Sequence, residues 1–107
     1  MSEQSSYCPV YEAINLLQEK WTLHIVRTLL KGSCGFNELG RAVGGVNSNT
    51  LAQRLEHLEE LGVVHKTVLS TMPPKTSYSL TEAGVELHEV TEAIERWGVK
   101  HLSLPVG

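Results

Sequence analysis

The sequence has no aspartate, only two cysteines and no long hydrophobic run, and each of these features excludes a class of protein. Two cysteines are too few for a disulfide framework, which favours the reducing cytoplasm as the compartment. No apolar run approaches the roughly 18–20 residues that span a bilayer, so we expect no membrane partner. The N-terminus has neither the basic region nor the apolar region of a signal peptide, so we expect no secretion.

Catalytic and metal-binding motifs are also missing from the sequence. It contains no nucleophile elbow, no P-loop and no dinucleotide glycine fingerprint. Its five histidines show no H-x-x-x-H spacing, and its two cysteines do not form a C-x-x-C pair. We therefore predict a protein that is not an enzyme and that uses no metal and no cofactor.

The composition is that of a globular protein, and the charge is unevenly distributed along it. The chain has 107 residues, of which 41% are hydrophobic and 20% charged, which predicts a single domain over 1–107. The formal net charge is −3. Residues 20–80 nevertheless carry an excess of basic side chains, whereas the segments on either side are acidic. A locally positive field is compatible with a polyanionic partner such as DNA.

Hydrophobic periodicity and capping signals predict five helices and one β-hairpin. The helices are expected at about 9–18, 21–31, 36–43, 48–61 and 81–101, and the strands at about 63–69 and 76–80. The third and fourth helices form a helix-turn-helix over about 36–62, and the hairpin forms a wing over about 63–80. The predicted fold class is mainly α (α+β), a winged helix-turn-helix with a two-stranded wing.

The fourth helix has the pattern of a DNA recognition helix. At about 100° per residue, the leucines face inward and a set of amide and hydroxyl side chains faces outward. Asn and Gln pair bidentately with adenine, and Thr contacts a base or a thymine methyl group. The predicted DNA-binding residues are Ser48, Asn49, Thr50, Gln53, Arg54 and His57. Of these, Arg54 lies near the apolar stripe, where an ion pair with a neighbouring helix is an equally good interpretation.

The wing and the last helix suggest two further contacts. Lys75 follows two prolines at the turn of the wing, where it can contact a DNA phosphate. The last helix has an apolar seam at near-heptad spacing, which either packs on its own domain or forms a dimer with the first helix. The dimer is our preferred interpretation, with dimerisation helices at about 9–18 and 81–101. Its predicted interface residues are Val10, Ile14, Leu87, Val90, Ile94 and Trp97.

With these residues identified, the chain resembles the HxlR-type winged-helix transcriptional regulators, which are related to the MarR class. The resemblance rests on six motifs in order, which are Cys8-Pro9-Val10, residues 20–23, residues 36–39, residues 51–62, residues 73–75 and residues 78–84 with Trp97-Gly98. It implies a homodimer that binds double-stranded promoter DNA. The chain departs from the family at Cys34-Gly35 and at Asn49, where basic residues are common.

A thiol switch is the expected mode of regulation. Cys8 is predicted at a helix N-terminus, where the helix dipole favours the thiolate that oxidants and electrophiles attack. Cys34, predicted in a loop, is the less favoured sensor. We expect a homodimeric repressor whose DNA binding responds to an oxidant or an electrophile. Two alternatives stay open, namely a winged helix that binds protein rather than DNA and a regulator that responds to a non-redox small ligand.

Overall fold

The computed structural model of the chain describes residues 8–102, which form six helices and a three-stranded antiparallel sheet. The ends of the predicted domain, residues 1–7 and 103–107, lie outside the described residues. The helices are α1 (Pro9–Leu17), α2 (Thr22–Leu29), α3 (Phe36–Val43), α4 (Ser48–Glu60), α5 (Glu82–Glu86) and α6 (His88–Leu102). The strands are β1 (Cys34–Gly35), β2 (Val64–Thr71) and β3 (Pro74–Leu80), in the sheet order β1-β3-β2. This mainly helical, winged helix-turn-helix architecture confirms the predicted fold class.

The core of the domain lies between α2, the helix-turn-helix and the base of the sheet. Its buried members are Ile25, Leu29, Leu39, Leu51, Leu55, Leu58, Val63, Val64 and Tyr78. The predicted leucine stripe of α4 therefore faces inward at Leu51, Leu55 and Leu58. Leu61, which the periodicity added to the stripe, is instead exposed. The helix has already ended there, because Gly62 turns the chain with a φ of +77° that favours glycine.

The wing is a longer hairpin than the sequence predicts. Pairing of β2 with β3 continues to Thr71 and Pro74, and only Met72 and Pro73 remain between the strands. We predicted a turn over 70–75, because serine, threonine and proline are typical turn residues. The ladder extends through most of this segment, and Pro74 is accepted because it is the first residue of β3.

The sheet contains a third strand beside the two-stranded wing, and Cys34, which we expected in a loop, lies on that strand. Cys34 and Gly35 form β1, which pairs with Tyr78 and Ser77 on the free edge of β3. A strand of two residues has no periodicity that a sequence can show. The strand β1 is recognised only from its pairing with β3. This pairing joins the wing to the start of α3.

The predicted last helix, 81–101, is divided into α5 and α6 at Leu87. Thr81 caps α5 as expected, with its hydroxyl oxygen accepting the Gly84 backbone N–H at 3.2 Å. Leu87 is half-buried and packs against the core, although we had grouped it with the dimer-interface residues. Thr91 is the buried side chain of α6. The seam thus contacts its own domain at its N-terminal end and leaves it further along.

The first helix contributes little to the core. No residue of α1 is buried, and Val10 and Ile14 on its apolar face are exposed. The sequence indicated one continuous apolar face from Val10 to Leu17. In the described chain, only its C-terminal end at Leu16 packs against the core. None of the helices within residues 8–102 has both the length and the apolar character needed to cross a bilayer.

Candidate nucleic-acid interface

The N-terminal half of α4 presents a group of polar side chains to solvent. Ser48, Asn49 and Gln53 are exposed and Thr50 is half-buried. Asn47 caps the helix, since its Oδ1 accepts the Thr50 backbone N–H at 2.8 Å. The three buried leucines on the opposite side fix the rotation of the helix. Four of the predicted DNA-binding residues therefore lie together at the start of α4, on a surface that a major groove can receive.

The other two polar residues of α4 have partners within the chain. The Arg54 Nε donates a hydrogen bond to the Lys20 carbonyl oxygen at 2.8 Å. The Nδ1 of His57 lies 3.2 Å from the Glu19 Oε1. Both side chains are half-buried, on the side of α4 that faces the turn between α1 and α2. The structure thus separates Arg54 and His57 from the exposed group, and for Arg54 it favours the contact with a neighbouring segment.

Lys75 lies exposed near the tip of the wing, paired in the ladder with Ser70. A cleft of about 450 Å³ separates this part of the wing from α3. Arg41 of α3 lines the same cleft as Lys75, so two cations face one opening. Arg41 also lines a second cleft, with Ser48 and Asn37, at the start of α4.

Arg41 is a candidate site residue that the sequence analysis did not single out. It is exposed, and it forms no ion pair with any side chain in residues 8–102. A basic residue on the helix before the recognition helix was the available signal. Its significance depends on the wing folding back beside α3, which periodicity does not report.

The two thiols lie in different surroundings. Cys8 is exposed at the N-cap position of α1. Cys34 is half-buried on β1, with its Sγ 3.8 Å from the Gly32 carbonyl oxygen. Burial, with the nearby Glu38 carboxylate as a second cause, raises the pKa of the Cys34 thiol. The raised pKa lowers the fraction of Cys34 present as the thiolate, which is the reactive form.

Exposed apolar side chains mark α1 and α6. Val10 and Ile14 are exposed on α1, as are Val90, Ile94 and Trp97 on α6. Single exposed apolar residues are ordinary, but such a group on two helices is typical of an interaction surface. Among the described residues, no cluster of three His, Cys or Glu side chains is placed to hold a metal ion.

The comparison with protein families decides the identity of this arrangement. A family model described as HxlR-like helix-turn-helix matches residues 16–105 of the chain. The chain belongs to the HxlR-like helix-turn-helix family. It is therefore a DNA-binding transcriptional regulator by family, not an enzyme, and the predicted resemblance is confirmed.

Relatives of known sequence or structure support this HxlR-like assignment. The chain is 36% identical over 98 residues to the uncharacterized HTH-type transcriptional regulator YvaP of Bacillus subtilis, covering 91% of each chain. A MarR-family putative regulator from Porphyromonas gingivalis W83 superposes with a TM-score of 0.83 at 28% identity, over 94% of this chain and 97% of that one.

A third similar structure is the reduced form of the transcriptional regulator YodB of B. subtilis. It has a TM-score of 0.77 and 31% identity, covering 89% of this HxlR-like chain and 94% of its own. Diamide-treated and quinone-bound forms of the same protein also match, with TM-scores of 0.72 and 0.75.

Proposed function

We propose that this protein is a homodimeric, sequence-specific repressor that binds double-stranded promoter DNA in the cytoplasm and is switched by oxidation of Cys8. The observation that carries the DNA-binding part is the group of exposed hydroxyl and amide side chains at the N-terminal end of α4. Residues at this end of a recognition helix reach the base edges. The buried leucines of the same helix hold that face outward.

Within this proposal the residues divide into two kinds of DNA contact. Asn49 and Gln53 read base edges, because their amides both donate and accept. Ser48 and Thr50 support them with hydroxyl groups. Lys75 on the wing and Arg41 on α3 contact phosphates, which supplies affinity and register but little sequence preference.

The dimer in this proposal forms through α1 and α6. The apolar residues Val10, Ile14, Val90, Ile94 and Trp97 are 37–65% exposed in the single chain, and burial in a homodimer would remove them from water. Two-fold symmetry then presents two recognition helices to successive major grooves, about 34–36 Å apart. A site of this kind is pseudo-palindromic, and its occupation blocks transcription sterically.

Cys8 is the proposed switch because it is the exposed thiol of the two and begins a helix of the dimer interface. Oxidation to a disulfide needs a second thiol, and a homodimer supplies one in its second Cys8. The similarity to YodB, which is known in reduced, diamide-treated and quinone-bound forms, supports this proposal. Quinones and aldehydes, which are electrophiles, would act on the same cysteine.

The proposal is tested by fluorescence anisotropy with DNA from upstream of the protein's own gene, across a salt series and with and without diamide. We expect reduced protein to bind with a Kd of about 10⁻⁸ M or tighter at physiological salt. Affinity should fall steeply with salt, disappear with diamide and return with dithiothreitol. Cys8→Ser should keep binding in diamide, and Cys34→Ser should behave as the wild type.

Two outcomes would contradict different parts of the proposal. Binding no tighter than to a scrambled duplex, in both redox states, removes the sequence-specific regulator. Binding by the Cys8→Ser protein that is still lost in diamide removes Cys8 as the switch and leaves the regulator in place.

A further inference from the structure

Two contacts fasten the recognition helix to the turn between α1 and α2, residues 18–21. One is the hydrogen bond from Arg54 to the Lys20 carbonyl oxygen, at 2.8 Å. The other joins His57 to the Glu19 carboxylate, at 3.2 Å. The partners are 34 and 38 residues apart in sequence, so these are tertiary contacts. We call this pair of contacts the tether.

The turn that holds the other end of the tether is itself firmly placed. Trp21 has a φ of +81°, a left-handed conformation that is uncommon for a residue other than glycine. Such a conformation persists where the surroundings determine it. Trp21 packs against the core, and the Lys20 Nζ lies 5.2 Å from the centre of its ring. The carbonyl group that receives Arg54 therefore has a defined position relative to the core.

The tether is formed by polar residues of α4 that are not part of the exposed group at the start of the helix. Arg54 and His57 are half-buried and turned towards the turn, whereas Asn49 and Gln53 are exposed. We propose that Arg54 and His57 are positioning residues, which set the orientation of the recognition helix through Glu19 and the Lys20 carbonyl group and do not contact DNA. This inference rests on the proposed DNA-binding function and deepens it.

The tether also links α4 to the helix that carries Cys8. No residue of α1 is buried, so α1 is attached to the rest of the described chain largely through its C-terminal end. Glu19 and Lys20 follow directly after that end. A displacement of α1 thus reaches the C-terminal half of α4 through two polar contacts.

Replacement of Glu19 separates positioning from simple electrostatics. Removal of a negative charge should tighten binding to DNA if charge alone matters. If the tether positions the helix, Glu19→Ala should instead weaken operator binding, by about three- to tenfold. Glu19→Gln keeps an oxygen that can accept the His57 N–H, so it should restore most of the affinity.

Glu56→Ala is the matched control, because Glu56 is an exposed carboxylate on α4 with no hydrogen-bond or ion-pair partner among residues 8–102. It removes the same charge without touching the tether, and it should leave binding unchanged or tighter. A double variant, Glu19→Ala with His57→Ala, should lose no more affinity than either single variant. Each single variant already removes the same contact, the one between His57 and Glu19.

The salt dependence gives a second readout, which also covers Arg54. A side chain that contacts a phosphate lowers the slope of log Kd against log salt by about 1 when it is removed. A positioning residue weakens binding and leaves the slope unchanged, which is the result we expect for Arg54→Gln and His57→Ala. Lys75→Gln serves as the comparison that should lower the slope. Circular dichroism and thermal melting confirm that each variant is folded at the assay temperature.

The proposed tether is overturned if Glu19→Ala, Glu19→Gln and Glu56→Ala all increase the affinity for operator DNA by the same factor. A reduced slope for Arg54→Gln and His57→Ala also overturns it, because these residues would then contact phosphate. Failure of the wild-type protein to distinguish operator from scrambled DNA contradicts the proposed function itself. The two failures are therefore distinguishable in one set of titrations.

Discussion

Cys8 and Cys34 are both free thiols, but their environments favour different chemistry. Cys8 is exposed and lies directly before α1. Cys34 lies within the sheet, where burial and Glu38 raise the pKa of its thiol. A thiol attacks as the thiolate, so a raised pKa lowers the reactive fraction near neutral pH.

We predict that Cys8 reacts faster with iodoacetamide than Cys34 in the folded protein at pH 7–8. The rate at Cys34 should rise only at higher pH, because its thiol must first lose a proton against a raised pKa. Peptide mass spectrometry over a time course measures both rates in one sample. Unfolding in guanidinium is the control, since it should bring the two rates together. A faster Cys34 in the folded protein would contradict the prediction.

Arg54 and His57 show where helical phase stops being informative. Helical phase places Arg54 near the apolar stripe and His57 beside the outward face, and the sequence makes both candidates for DNA contact. Their partners, Glu19 and the Lys20 carbonyl group, belong to a segment more than thirty residues away. Helical phase contains no information about which distant segment packs beside the helix.

At the scale of the element, α4 is well determined by its sequence. An Asn cap, three buried leucines and a glycine that ends the helix are all local signals, and the observed bounds Ser48–Glu60 agree with them. The last helix shows the opposite case, since an apolar seam continues through Leu87 while the helix breaks there. The segment before the break, α5, packs against the base of the wing, and the spacing of the seam does not report this contact.

Gly84 allows that close packing. A Cβ at this position would overlap the Val63 carbonyl oxygen and would lie 2.9 Å from Leu80 Cδ2. The same carbonyl oxygen accepts the Thr81 backbone N–H at 3.0 Å. The backbone of α5 is thus fitted against the first residues of the wing, and only glycine leaves enough room.

Gly84→Ala is predicted to destabilise the fold by about 1–3 kcal/mol or more, because the overlapped atom belongs to the backbone and cannot move aside easily. Gly98→Ala is the matched control within α6, where nothing lies within 4 Å of the added Cβ. It should be neutral or stabilising by up to about 1 kcal/mol, as alanine favours helix. Urea unfolding of both variants at one protein concentration measures the difference, and equal stabilities would refute the proposed role of Gly84.

The surface of the whole molecule is divided by charge and by polarity. Arg41 on α3 and Lys66 and Lys75 on the wing are basic, whereas α4 carries one arginine and three glutamates. Glutamates also lie beside the exposed apolar residues of α6. A polyanion is therefore attracted to the wing and to Arg41, which lines the same cleft as Lys75. The acidic α6 suits contact with protein better than contact with DNA.

Ile94→Glu is predicted to make the protein monomeric, since it places a charge in the middle of the proposed dimer interface. Ile94 is 50% exposed in the single chain, so the substitution should leave the fold intact. Val68→Glu is the control, because Val68 is 58% exposed but lies on the wing. Light scattering with size-exclusion chromatography gives the mass of each. An unchanged mass for Ile94→Glu, or a monomeric wild type, would contradict the proposed dimer.

The sequence alone determined the elements whose signals are local. The helix-turn-helix, three of the four leucines in the stripe of α4, the cap at Thr81 and the existence of a wing follow from spacing and from the conformational preferences of single residues. The sequence leaves the cap of α4 open between Asn47 and Ser48, and the structure shows Asn47. The exposed group on α4 was also predictable, since the leucines of one helix fix which residues lie opposite. Periodicity depends only on residues that are close to one another in the chain, so the sequence alone reports it.

Only the tertiary structure decided what depends on distant segments. It placed β1 beside β3, broke the last helix at Leu87, set Arg41 and Lys75 across one cleft and fastened Arg54 and His57 to the turn after α1. Each of these outcomes depends on contacts between residues far apart in sequence. The free energy of such a contact depends on both segments together, so it cannot be inferred from the sequence of either segment alone.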